Sequence, residues 1–115
     1  MLINRGQVWH VSFDEKTVGR EQAGTRPALV LSSSDFNSND LGLVVVIPIT
    51  TAVRAFTSHV PIKQPEGGLR YDSSIMCEQV KSVSNERLKK LLGTVSRVTM
   101  SRVEVIISNI LELPF

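Results

Sequence analysis

Arg26, Thr50, Glu21 and Glu78 bring a fixed cation, a hydroxyl and two carboxylates to the borders of apolar runs. Arg26 opens RPALVLS directly after Gly24 and Thr25, and Thr50 and Thr51 close LVVVIPI. Glu78, Gln79 and Lys81 interrupt the apolar run from Ser74 to Val83, while Glu21, between Arg20 and Gln22, lies in the polar stretch ahead of Arg26. Such groups can hold an anion, donate hydrogen bonds and move protons. Each also has a plainer explanation: Arg26 as a surface ion-pair partner, Thr50 as a β-former, Glu78 as the solvated member of an alternation. Together they mark strand ends that converge on one rim of a small barrel, where binding sites tend to lie. His10 and His59 could serve as acid or base, but in alternating strands each reads first as partly exposed or hydrogen-bonded. Cys77, inside an apolar strand, reads as a packed thiol, and Trp9 as a core or interface aromatic.

Composition narrows the field. A chain of 115 residues fits one domain, 1–115. Its single cysteine rules out an internal disulfide framework and a cysteine-only zinc site, and two distant histidines leave little for a metal centre. G-x-S-x-G, phosphate-loop and H-E-x-x-H patterns are missing, so neither cofactor nor metal is expected. The apolar run Leu41 to Ile49 is too short to span a bilayer, and MLINRGQVW lacks the apolar core of a signal peptide. A cytoplasmic protein without a membrane partner is the expectation. Thirteen basic residues against eleven acidic ones give a net charge of +2, which disfavours an electrostatic carpet but allows phosphate contact in one focused groove.

The elements that must position these groups are mostly strands. Gly6 to Phe13, Arg26 to Ser32, Leu43 to Ile49, Thr57 to Lys63 and Ser74 to Val83 are rich in β-branched and apolar residues and are bounded by turn clusters. Asp14 to Thr25 reads as a long loop, and Ser33 to Gly42 as a turn with room for one helical turn around Phe36. Ser84 with Asn85, Glu86 and Arg87 has the form of a short capped turn. Leu88 to Val95 reads as a strand, because Gly93 and the residues after it disfavour a helix. Ser96 is a candidate N-cap for an amphipathic helix whose stripe is Met100, Val103, Ile106, Ile107, Ile110 and Leu111, with Pro114 beyond its end. The expected fold is mainly β (α+β), a small barrel with a C-terminal helix.

EQAGTRPALVLS at Glu21 to Ser32, VVVIPITT at Val44 to Thr51, TSHVPI at Thr57 to Ile62 and MCEQVKSV at Met76 to Val83 occur in a familiar order and spacing. With RGQVWHVSF at the start and LGTVSRVTMSRVEVII at the end, they resemble the MazF/PemK toxin family over nearly the whole chain. The resemblance implies an SH3-like barrel of the CcdB/PemK-like toxin fold, a homodimer, and sequence-specific, metal-independent cleavage of single-stranded RNA to a 2′,3′-cyclic phosphate and a 5′-hydroxyl. It also implies a cognate MazE/PemI-like antitoxin whose acidic tail occupies the RNA groove. Arg26 matches the family's catalytic arginine and Thr50 its active-site threonine. Glu21 matches a loop glutamate, a base or groove organiser.

The match has departures. One plasmid-borne branch carries Arg-Cys-Asp where this chain has Met76, Cys77 and Glu78, so that branch's phosphate-anchoring arginine is missing, while the resemblance implies that Glu78 keeps the acidic catalytic role with its carboxylate shifted by one methylene. The same branch has a histidine where this chain has Arg20, and its histidine chemistry is not carried over. Arg26 and Thr50 remain as the common minimum. Base preference is expected from loops, with Arg20, Gln22, Thr25, Thr51, Arg54, Phe56, Arg70, Gln79 and Lys81 as RNA-binding candidates and Tyr71 beside them. The alternative is a non-enzymatic toxin of the CcdB kind that binds gyrase on the same fold and has no need of the Arg26–Thr50 pair.

Overall fold

The computed structural model describes residues 2–13, 24–52 and 54–114. Its strands are β1 (Gln7–Phe13), β2 (Gly24–Val30), β3 (Leu43–Thr50), β4 (His59–Ile62), β5 (Ser73–Met76), β6 (Lys81–Ser84) and β7 (Leu88–Thr94). A short helix, α1 (Ser34–Asn37), follows β2, and a longer one, α2 (Arg97–Leu111), closes the chain. The strand order is β4-β5-β3-β2-β1-β7, with β6 also paired to β3, and every pairing is antiparallel.

β3 organises this sheet because its run of β-branched residues is covered on both sides. Alternate residues of the strands fall into two apolar clusters on opposite faces. Trp9, Val11, Phe13, Ala28, Val30, Val44, Val46, Val83 and Leu88 fill one cluster. Val8, Leu29, Ile47, Ile49, Val60, Ile62 and Ile75 build the other, which α2 closes with Val103 and Ile107. Burying those two helix side chains contributes about 1.5–3 kcal/mol each. Ser96 caps α2 as its composition suggests, its Oγ accepting from the Thr99 N–H at 3.1 Å. Glu66 reinforces that end, accepting from the Ser96 N–H at 2.9 Å and from the Thr99 hydroxyl at 2.6 Å.

The expected strand from Ser74 to Val83 is not continuous. It divides into β5, a 3₁₀ turn at Cys77–Gln79, and β6. Opposite it, β3 advances only from Ile49 to Val46 while its partner advances from Ile75 to Lys81, so the partner chain has slack to loop out. Pro48 stands at that gap and supplies no N–H there, which fits a proline beside a bulge. The helical stripe is also shorter than its periodicity suggests. Val103 and Ile107 are buried, whereas Ile110 and Leu111 are exposed beside Val105 and Leu113. Among the described residues, no helix is long and apolar enough to cross a membrane.

The single helical turn near Phe36, the capped turn at Asn85–Arg87 and the strand character of Leu88–Thr94 match their sequence signals. The stretch between β4 and β5 holds a 3₁₀ turn at Glu66–Gly68 that packs tightly on β7. Gly68 has φ +73°, and a Cβ there would lie 2.0 Å from the Leu92 carbonyl oxygen, so only glycine fits.

Candidate active site

Arg26 lies in β2, and register decides which way it faces. Ala28 pairs with Pro48 and Leu29 with Ile47. Continuing that antiparallel count to the strand ends sets Arg26 opposite Thr50, on the same face of the sheet. Thr50 in turn pairs with Ser74 of β5, and Ser74 with Pro61 of β4, so one transverse row runs Arg26, Thr50, Ser74, Pro61. Both Arg26 and Thr50 are half-buried.

A cleft of about 440 Å³ opens at this end of the sheet, lined by Gly24, Thr25, Arg26, Pro27, Ile49, Thr50, Thr51 and Ser73. Its lining mixes a guanidinium and hydroxyls with the apolar side chains of Pro27 and Ile49, a lining suited to an anion carried on a larger ligand. Thr50 is oriented by its own backbone: Oγ1 accepts from the Ala52 N–H at 3.1 Å. With that lone pair committed to the chain, the hydroxyl proton is left to donate.

The other candidate residues are distributed around this centre. Thr25 and Thr51 are exposed on the cleft wall. Arg54 and Phe56 lie exposed in the segment before β4, and Arg70 and Tyr71 in the turn before β5, all outside the cleft lining. Gln79 and Lys81 are half-buried at the interruption between β5 and β6, and the Lys81 ammonium stands 5.6 Å over the Phe13 ring. Arg20, Glu21 and Gln22 lie outside the described residues.

Glu78 sits in the 3₁₀ turn and is held by two side chains. Ser58 Oγ donates to Oε1 at 2.8 Å, and His59 Nε2 lies 2.9 Å from Oε2. Partial burial pushes the carboxyl upward, but the hydrogen bonds from His59 and Ser58 outweigh it and hold it below the ordinary carboxylate range. The Cys77 thiol next to it is buried and pushed up to about 12, first by desolvation and then by the Glu78 charge, so it is an inert packed thiol as its surroundings suggested.

Two residues of this region were not among the site candidates. Ser73 reaches the cleft because Ser73 pairs with Ile62 at the start of β5, next to the row through Thr50, and a lone serine after a turn carries no sequence signal for that. His59 was visible as a hydrogen-bonding histidine, but its partner nineteen positions away became identifiable only once β4 and β5 paired.

The family of PemK-like, MazF-like toxins of type II toxin–antitoxin systems matches residues 4–111. The chain is 30% identical over 112 residues to the endoribonuclease PemK of Escherichia coli, covering 92% of this chain and 83% of that one. It is 27% identical over 117 residues to the endoribonuclease MazF9 of Mycobacterium tuberculosis, covering 97% and 98% respectively. Among solved structures, MazF from Deinococcus radiodurans superposes with a TM-score of 0.83 at 22% identity, covering 97% of this chain and 98% of that one. With a family match across nearly its full length and the barrel-and-helix fold of those toxins, the chain belongs to the PemK-like, MazF-like toxin family.

Proposed function

We propose that the protein is a toxin that cleaves single-stranded RNA by transesterification, without a metal, at short sequence motifs. What supports this reading is that Arg26 and Thr50, near the ends of two neighbouring antiparallel strands, both line one cleft with polar and apolar residues. RNA brings its own nucleophile, the ribose 2′-hydroxyl, so the protein needs no activated serine or cysteine. It must instead neutralise the phosphorane and manage two protons, one leaving the 2′-oxygen and one arriving at the departing 5′-oxygen. Arg26 forks onto the non-bridging phosphate oxygens and acts by electrostatic stabilisation, since a guanidinium is too weak an acid to release a proton readily. Thr50 donates its hydroxyl to the same phosphate. Glu21 is the candidate base or groove organiser, and Glu78 is the acidic group farther along the groove. The products are a 2′,3′-cyclic phosphate and a 5′-hydroxyl.

Thr25, Thr51, Gln79 and Lys81 border the groove in this reading, and Arg20, Gln22, Arg54, Phe56 and Arg70 extend it for base stacking and edge contacts. The working form is a homodimer, supported by the exposed Val105, Ile110, Leu111 and Leu113 at the end of α2. A cognate antitoxin with an acidic tail competes for the RNA groove. The solved complex of MazE and MazF from Deinococcus radiodurans supports such a partner.

Purified protein incubated with a long, structure-poor transcript in EDTA is the decisive assay. Cleavage is expected, with Arg26→Ala slowing it by about 10³-fold or more. Unchanged cleavage by Arg26→Ala overturns the assignment of the site, and inhibition of gyrase supercoiling with no RNA cleavage overturns the reading.

A further inference from the structure

Ser58, His59 and Glu78 form a cluster whose arrangement the Arg26–Thr50 phosphate contacts do not account for. Each Glu78 carboxylate oxygen has its own partner, Ser58 Oγ at 2.8 Å and His59 Nε2 at 2.9 Å. The main chain repeats the link, the Cys77 N–H donating to the Ser58 carbonyl at 3.1 Å. Phe56 stands edge-on to the imidazole, ring centres 5.1 Å apart. The His59 side chain is only 4% exposed, while that of Glu78 is 35% exposed. The imidazole is therefore interior support, and the carboxylate is the part that meets solvent.

The other ring nitrogen carries further information. His59 Nδ1 is buried with no hydrogen-bond partner among the described residues. An ionised carboxylate only accepts, so Nε2 carries the proton, and in the neutral ring Nδ1 is then a bare acceptor. Leaving such a group unsatisfied costs about 1–3 kcal/mol. The fold tolerates that cost while keeping the Nε2–Glu78 contact. Register sets the cluster beside the proposed phosphate site: His59 pairs with Met76, Pro61 with Ser74, and Ser74 with Thr50. Strand alternation keeps Thr50, Ser74, Met76 and His59 on one face.

We propose that His59 is a positioning residue for sequence-selective RNA cleavage: with Ser58 it locks the Glu78 carboxylate in one orientation, so that its free lone pairs accept from an N–H on the edge of a base lying along the Arg26–Thr50 face. This inference rests on the RNA-cleaving reading. A carboxylate already engaged by two protein donors is a poor shuttle for the 2′-hydroxyl proton and a good fixed acceptor for a base edge. The lock also ties the segment carrying Phe56 to the 3₁₀ turn carrying Gln79, so two groove walls share one support.

Two near-isosteric variants separate positioning from packing. The amide nitrogen of His59→Gln can reach the place of Nε2, whereas that of His59→Asn reaches only as far as Nδ1. His59→Gln is expected to stay within about threefold of the parent in kcat/KM and to cut the same sequences, while His59→Asn loses about tenfold or more, chiefly through KM, and cuts with weaker base preference. Nitrogen-15 NMR of the parent protein gives a readout independent of both variants: His59 is expected as the Nε2–H tautomer, with its signals shifted by Glu78→Gln. An Nδ1–H tautomer, an equal loss in both His59 variants, or parental rate and cut sequences in His59→Asn overturns the proposal. Arg26→Ala run alongside distinguishes the two levels. If it is inactive while His59→Asn cuts like the parent, only the positioning role falls; if it cuts normally, the Arg26–Thr50 site falls and this proposal with it; if the parent itself cuts no RNA, the RNA-cleaving reading falls and takes this proposal with it.

Discussion

Replacing Thr50 by valine removes one hydroxyl and almost no volume, which makes it the sharpest probe of the cleft. Thr50 Oγ1 accepts from the Ala52 N–H at 3.1 Å, so its proton is the part available to a ligand. If that proton bonds an anionic phosphate oxygen, its loss removes a charge-assisted hydrogen bond of about 1.5–3 kcal/mol. At about 1.4 kcal/mol per decade, cleavage slows by roughly 10- to 150-fold. Ala52 is exposed, so water replaces the lost acceptor for its N–H and the fold is barely affected. Thr50→Ser keeps the hydroxyl and should recover most of the rate. The assay is single-turnover cleavage of a short single-stranded RNA in EDTA, with melting temperatures measured in parallel. A valine variant that cuts at the parental rate, or a serine variant as slow as the valine one, would refute the assigned hydrogen bond.

Arg26→Lys keeps the charge but loses the two-pronged contact, and is expected to cut about 10²-fold more slowly, with salt unable to restore the rate. Glu66→Gln weakens the N-terminus of α2, where the carboxylate accepts from Ser96 and Thr99. Burial raises the Glu66 carboxyl, but those hydrogen bonds leave it below its ordinary value, so its contribution is complete above the unfolded carboxylate pKa of about 4.3 and fades as pH falls through the lower folded value. Scanning calorimetry should therefore show the parent melting about 4 °C above Glu66→Gln at pH 7, with the gap narrowing at acid pH. Gly68→Ala forces a Cβ against the Leu92 carbonyl at positive φ and should cost at least about 2 kcal/mol in a urea titration. Cys77 should resist a thiol reagent in the native protein and react promptly in denaturant.

Where local pattern and tertiary structure agree, the elements could be read from the chain directly. Ser96 before a period-3.6 stripe announces α2, and the β-branched run from Leu43 announces β3. The break between β5 and β6 was hidden because its cause lies on another strand: the ladder to β3 stops beside Pro48, and nothing within MCEQVKSV records that. The end of the α2 stripe departs from its periodicity for a related reason. Periodicity says which face of a helix is apolar but not how much of that face the rest of the fold covers, and here Ile110 and Leu111 are left exposed.

The site divides along the same line. Arg26 and Thr50 are legible because each terminates an apolar strand, and two adjacent antiparallel strands deliver their ends to one place. The Ser58–His59–Glu78 cluster joins residues far apart in the chain, and it exists only because β4 returns along β5 in the register that sets His59 against Met76. Shifting that register by one residue would turn His59 to the opposite face and separate it from Glu78. A histidine whose one ring nitrogen supports a half-exposed carboxylate, while the other is buried without a partner among the described residues, is costly as packing alone. Its cost becomes intelligible when the orientation of Glu78 matters to what binds along the Thr50 face.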